Sequence, residues 1–466
     1  MIDEEPGSAW RSGTRVLSVI ALSLCVAPAL SADAIDDLVR SHMRQSRLPG
    51  VALAVMHNGV VSTMRTYGAA NMELDAPVTA DSVFELGSLT KQFTAFAVMM
   101  LVEEGKLDLD GSIARYLPAV PESWRGITVR HLLTHSAGIE EYLSVPALAD
   151  EAHAATHDEM TQMFFRRLRL EFEAGQTWAY SNSGYLLLGN IIERVTGKSY
   201  WDFLHQRIFA PLGMNATRSS EPGAIIPRRA AGYGWRDGAF ENRGALSGNA
   251  YSAGSIASTI RDMARWEAAL HSGKLLTRRS YEAMWTALEV RRAGPPPFSY
   301  GFGWVVDKHG GSPVVLHSGG TPGFSSAIHR YLGPAVSVIV LANHGDRIID
   351  PVAVDVAGIA FPALARSRGK RDPDPELTKR LRDALAGLLA GQPDPRLFTP
   401  AMQLFLTTAI GKGLWEWIGS HGELGPFAYA GQEDSRLRFR ATLGEAETWF
   451  SVTVAEDGRI AQIWWW

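Results

Sequence analysis

The sequence predicts a protein of the α/β (α+β) class: an antiparallel sheet flanked by helices plus an all-helical region, with a small C-terminal α+β domain. Three observations predict it. Strand-like runs lie near both ends of the first 366 residues, with helical texture between them. A charged, proline-containing stretch, SRGKRDPDPE from Ser367 to Glu376, reads as a linker. Two helical stretches and then four strand-like runs follow it. At 466 residues the chain is also too long for one ordinary domain. The expected boundaries are 1–32 for a leader, 33–366 for the first domain, 367–375 for the linker and 376–466 for the second domain.

The leader rests on RVLSVIALSLCVAPALSADA. Arg11 and Arg15 precede an apolar run, Val16 to Ala27, too short to span a bilayer comfortably, and small residues follow. This is the layout of a secretory signal peptide, so the expected location is periplasmic or secreted. The single cysteine, Cys25, lies inside the run. Cleavage would leave no disulfide, thiolate nucleophile or cysteine metal site. A net charge of −4 gives no electrostatic reason to expect nucleic acid or an anionic membrane as partner.

PGVALAVMHNGVVSTMRTYGAA predicts a hairpin, because two β-rich runs flank the turn pair Asn58-Gly59. Helices follow in SLTKQFTAFAVMMLVEEG, stopping at Gly105, in NSGYLLLGNIIERVTG, stopping at Gly197, and in STIRDMARWEAALHSG. The last begins with the capping-box spacing Thr259-x-x-Asp262 and stops at Gly273. From Tyr300 the texture turns to strands: YGFGWVVDK, PVVLHS, SSAIHRYL and AVSVIVLAN. A sheet joining both ends of the domain is the economical arrangement. In the second domain the helical stretches are ELTKRLRDALAGLLAG and PAMQLFLTTAIGKGLWEWIG. The strands are FAYAGQ, SRLRFRATL, AETWFSVTV and RIAQIWWW.

Three short patterns carry chemistry. Ser88-x-x-Lys91 opens an apolar helix. The i to i+3 spacing sets the lysine over the serine, and a buried helix disfavours the lysine's charge. A hydroxyl needs such a partner to act as a nucleophile, and a helix start offers free N–H groups for an oxyanion. The competing reading is a plain N-cap serine. A second Ser-x-x-Lys, at Ser367 and Lys370, sits in the linker with no helix behind it. Tyr180-Ser181-Asn182 precedes the second helix. A phenol near an ammonium has a lowered pKa and can take a proton from serine, while an asparagine can hold a substrate amide. His317-Ser318-Gly319 ends an apolar strand and leads into Gly320, small residues beside which a substrate backbone can lie.

Taken together and in this order, Ser88-Leu-Thr-Lys91, Tyr180-Ser-Asn182 and His317-Ser-Gly319 resemble the serine β-lactamase and penicillin-binding family. The chain is most similar to its branch of class C β-lactamases, D-Ala-D-Ala carboxypeptidases and esterases (peptidase S12-like). FELGSLTKQFTA, ITVRHLLTHSAGI and SAGSIASTIRDMARW are also typical of that branch, and the resemblance covers residues 35 to 365 or so. It implies a serine hydrolase working through an acyl-enzyme on an amide or ester, with a D-amino-acid peptide or small ester as substrate. A class C-type β-lactamase and a non-catalytic penicillin-binding-fold sensor remain as alternatives. Ser88 is implied as nucleophile, with Lys91 and Tyr180 sharing the proton. Asn182, His317, Ser318 and Gly319 are implied as substrate-side residues, and the Ser88 and Gly320 N–H groups as the oxyanion site. Histidine stands where most true lactamases carry lysine, which removes a fixed positive charge; Arg330 is a further candidate for one. No metal or organic cofactor is implied. His131 and His135 have the spacing of zinc ligands, but Leu132 replaces the glutamate of that motif, and both read as parts of a structural loop. The second domain loosely resembles cystatin or NTF2-like modules, and no chemistry is assigned to it.

Overall fold

The computed structural model describes residues 29–465, apart from 146–147, 149–155, 222, 245–249, 289–298, 310, 347–348, 366–369, 434 and 445. The expected leader therefore lies outside the described residues as far as residue 28, and so do the first residues of the linker, including Ser367.

Asn58 and Gly59 both have positive φ, 52° and 73°, as the favoured two-residue hairpin turn requires. They join β1 (Gly50–His57) to β2 (Val60–Asn71). With β3 (Ala76–Pro77), β4 (Val305–His309), β5 (Ser312–Thr321), β6 (Phe324–Tyr331) and β7 (Val336–Ala342), they form a seven-stranded sheet in the order β3-β2-β1-β7-β6-β5-β4. The antiparallel β1–β7 pair, Val51 opposite Ala342 through His57 opposite Val336, closes the two ends of the domain onto each other. Every residue of β7 is buried, which is why VSVIVLA is apolar but for Ser337, whose hydroxyl donates to Glu267.

Side chains alternate across the sheet, and two cores result. Ala52, Ala54, Val315, Ile328, Ile339 and Leu341 face a core shared with α2 (Thr90–Glu103), α3 (Asn182–Thr196) and α4 (Ile260–Ser272). Val51, Leu53, Val314, Leu316, Val338 and Val340 face the other core, built with α1 (Ala29–Ser46) and α5 (Asp350–Ala360). Helix α4 carries half of its expected capping box. The Asp262 N–H donates to Thr259 Oγ1, but the Asp262 carboxylate takes Thr217 and the Ala216 N–H instead. Short elements not expected from the sequence include a hairpin of residues 232–236 and 239–243, within the stretch read as mostly helical, and a three-stranded sheet of Phe84–Glu85, Ile256–Ser258 and Arg218–Ser219.

The C-terminal region has three helices rather than two: α6 (Pro375–Leu389), α7 (Pro400–Thr407) and α8 (Ala409–Gly419). Thr408 divides the second stretch. Its hydroxyl donates to the Phe405 carbonyl and accepts from the Gly411 N–H, ending one helix and capping the next. Four antiparallel strands follow in sequential order: β8 (Leu424–Glu433), β9 (Arg436–Leu443), β10 (Ala446–Val454) and β11 (Ile460–Trp465). Phe405, Trp415, Phe439 and Phe450 from this region join the same core as Trp178 and Tyr300 of the first domain.

Candidate active site

Helix α2 is buried all round, from Thr90 to Leu101, as its apolar run from Ala95 onward predicts. Ser88 is not its cap. It sits in the 3₁₀ turn Gly87–Leu89 that precedes the helix, and neither N-cap position makes a side-chain capping bond. The hydroxyl is therefore available, and Lys91 Nζ donates to it at 3.1 Å.

Two glycines set how close the sheet comes. A Cβ on Gly87, whose φ is +51°, would lie 2.7 Å from the backbone N and O of Gly320. A Cβ on Gly319 would lie 2.0 Å from the Leu86 carbonyl and 2.9 Å from the Ser88 nitrogen. No side chain fits at either position, so the Ser88 turn lies directly on β5. Ser326 Oγ fastens the same contact by donating to the Leu86 carbonyl at 2.7 Å. Strand β4 pairs with β5 only over residues 312–316. From His317 to Thr321, β5 pairs on one side alone.

Lys91 is fully buried and its ammonium has three acceptors: Ser88 Oγ, Asn182 Oδ1 at 2.7 Å and the Ala253 carbonyl at 2.8 Å. Burial brings its pKa down to about 7, against the opposing pull of the Glu141 charge. Ser181 caps α3 by accepting from the Gly184 N–H, which places Asn182 on the first turn facing Lys91. Tyr180 shares a hydrogen bond with Ser88, and Lys91 Nζ lies 4.6 Å from the centre of its ring. Here the structure corrects the sequence expectation. The Tyr180 pKa is raised, not lowered, because burial outweighs the hydrogen bond from Ser88, and the Glu141 charge adds to the rise.

His317 is also buried. Its Nδ1 lies 2.6 Å from the Ser318 carbonyl, which can only accept, so Nδ1 carries the proton and Nε2 accepts from Tyr300 Oη at 2.8 Å. Burial, and then the Lys91 charge, bring its pKa down to about 4. Ser318 points to the opposite face of the strand, where its hydroxyl donates to Asp350 at 2.6 Å. Arg330 is committed elsewhere. Its Nε donates to Glu267 at 2.6 Å in a buried ion pair, and its guanidinium lies over Trp285.

Three residues of the site were not expected there from the sequence. Glu141 is buried and accepts from the Asn182 N–H at 2.5 Å and Asn182 Nδ2 at 3.2 Å. Burial raises its pKa against those bonds and the Lys91 charge. His135, read as part of a structural loop, accepts the Ser181 N–H at Nδ1 and lies 4.3 Å, ring to ring, from Tyr180. Burial and the Lys91 charge hold it neutral. Tyr300 orients His317. Among the described residues, no group of histidines, cysteines and carboxylates is arranged to hold a metal ion, and no helix is long and apolar enough to cross a membrane.

The site thus sets Ser88 against a buried lysine, with a phenol beside it and a glycine-edged strand over it. Comparison with known proteins gives the family. The Beta-lactamase family model matches residues 35–357, and the chain belongs to that family. Penicillin-binding protein 4* of Bacillus subtilis is 32% identical over 63% of this chain and 68% of its own length. Further relatives are spanned over 56 to 64% of their length. D-amino acid amidase from Ochrobactrum anthropi superposes with a TM-score of 0.62 at 28% identity, over 72% of this chain and 98% of that one. The penicillin-binding protein homologue from Pyrococcus abyssi shares the fold over 91% of this chain and 97% of its own, with a TM-score of 0.63 at 21% identity.

Proposed function

We propose that this protein is a serine hydrolase that cleaves an amide or ester through an acyl-enzyme on Ser88, with a D-amino-acid amide, a D-amino-acid peptide or a small ester as substrate. The arrangement around Lys91 carries the reading. A neutral amine has two N–H donors and one lone pair. Asn182 Oδ1 and the Ala253 carbonyl can only accept, so they take both donors and leave the lone pair for Ser88. A pKa of about 7 makes that neutral form available at neutral pH. Lys91 is then the base that receives the Ser88 proton as its oxygen bonds to the carbonyl carbon. Tyr180, kept protonated by burial, passes a proton to the leaving group as the C–N or C–O bond breaks. Water completes the cycle by the reverse route. The Ser88 and Gly320 N–H groups hold the oxyanion, and Asn182 orients the substrate.

The same geometry disfavours β-lactamase action. His317 is neutral and Arg330 is paired with Glu267, so neither offers a fixed cation to a penicillin carboxylate. The proposal is tested by labelling with a fluorophosphonate and a fluorescent penicillin, against Ser88→Ala, and by ranking turnover of D-phenylalanine amide, a D-Ala-D-Ala peptide, a p-nitrophenyl ester and nitrocefin. Uptake of neither label by the natural protein would leave the non-catalytic sensor. Nitrocefin as the fastest substrate would make it a β-lactamase. We also propose export directed by residues 1–32, which cell fractionation with and without that segment would test.

A further inference from the structure

Behind β5, opposite Ser88, lies a cavity of about 320 Å³, in the lower part of the range for small-molecule sites, about 300–1,000 Å³. Gly319 and Gly320, which also lie against the Ser88 turn, are among its lining residues. Its floor is Ser318, His329 and Asp350, and its far wall comes from the C-terminal domain: Leu414, Trp417, Trp464 and Trp465.

The floor is built and charged. Asp350 is buried, and it accepts from Ser318 Oγ at 2.6 Å and from His329 Nε2 at 2.8 Å. Burial pushes its pKa up, but His329 and Ser318 together hold it below the usual carboxylate value. Among the described residues His329 Nδ1 has no partner, and neither has Ser325 Oγ, although both side chains are more than nine-tenths buried and line the cavity. Buried polar atoms are rarely left so unless a ligand or water completes them. Among the described residues no lysine or arginine lines the cavity, and its second carboxylate, Asp307, is already paired with Arg436. The ionised Asp350 and the unpartnered Ser325 hydroxyl thus share the cavity with three tryptophans, whose rings attract cations.

We propose that this cavity is the subsite for a cationic amine end of the substrate: an ammonium group on a short apolar or aromatic arm. Its N–H groups go to Asp350 and Ser325 Oγ, and its arm packs on Trp417, Trp464 and Trp465. The subsite rests on the acyl-transfer reading only for its connection to Ser88. It also gives the C-terminal domain a part in substrate choice.

Binding is measured without turnover, on Ser88→Ala protein, by calorimetry with 3-phenylpropylammonium, the matched neutral 3-phenylpropanol and the anionic 3-phenylpropionate. The ammonium should bind at least ten-fold more tightly than the alcohol, and the anion should not bind. Asp350→Asn should remove that preference, and Trp465→Ala should weaken ammonium binding about ten-fold with Trp465→Phe restoring most of it. If Asp350→Asn does not fold, the Trp465 pair still decides. Equal binding of ammonium and alcohol, or ammonium binding indifferent to these substitutions, overturns the subsite. On the natural protein the ammonium should compete with p-nitrophenyl ester hydrolysis. Undiminished hydrolysis at saturating ammonium would detach the cavity from the active site while leaving the hydrolase intact. Ammonium binding to a protein that hydrolyses nothing would sink the hydrolase reading and keep the binding site.

Discussion

The two faces of β5 bury titratable groups to a similar depth and leave them in opposite states. On the front, His317 and His135 lie near Lys91 with no acid bonded to either ring, and burial keeps both neutral. On the back, Asp350 is as deeply enclosed, yet two donors aimed at it hold it ionised. Burial alone therefore does not set charge; the bonded partners do. One strand thus carries a face of neutral histidine and a face of ionised carboxylate a single residue apart.

The comparison can be broken at several points. The largest effect is expected from Ser88→Ala, which should lower kcat/KM by about 10⁴-fold or more with unchanged melting temperature. Residual turnover near the natural level would place the nucleophile elsewhere. Lys91→Met should cost about 10³-fold. In the natural protein kcat/KM should rise with pH through about 7. Below that value Lys91 is protonated and has no lone pair for Ser88; above it the free amine accumulates. His317, at about 4, should add no limb in the neutral range. A rate independent of pH between 5 and 9 would remove Lys91 as the base.

Glu141→Gln sharpens the same contrast. The Glu141 charge holds the Lys91 pKa up, so its removal should move the rising limb to lower pH by about one unit. It should also lower the maximal rate about ten-fold through Asn182. An unmoved limb would mean that Glu141 only packs. The smallest effect on turnover is expected from Phe405→Ala. Phe405 packs on Trp178 at 5.9 Å, two residues from Tyr180, and neighbouring bonds join Thr177 to the Ala401 carbonyl and the Ala409 N–H to Glu171. The substitution should destabilise by about 3 kcal/mol and reduce kcat a few-fold, with KM for a small ester unchanged. A changed KM with constant kcat would assign the contact to binding rather than to positioning Tyr180.

Much of the fold was legible because it is written locally. The Asn58-Gly59 turn, the glycine stops at Gly105, Gly197 and Gly273, and the apolar strand runs each act through neighbouring residues. Ser88, Lys91 and Asn182 were legible as spacings, and the structure joins them through one ammonium. Glu141, His135 and Tyr300 were not, because each acts across the fold from a different segment and no local pattern marks it. Ser318 is a different case. Alternation along a strand already places residues 317 and 318 on opposite faces, so its separation from His317 was readable and was passed over. The Tyr180 pKa was misjudged because sequence shows a nearby cation but not the depth of burial.

The seam between Gly87 and Gly320 has a further consequence. The candidate site is not a loop resting on a scaffold; it is the place where helix and sheet meet, backbone against backbone. Such a seam cannot loosen without opening the core on which α2 packs. On heating, turnover and cooperative structure should therefore vanish at one temperature, with no range in which a folded protein has already fallen silent.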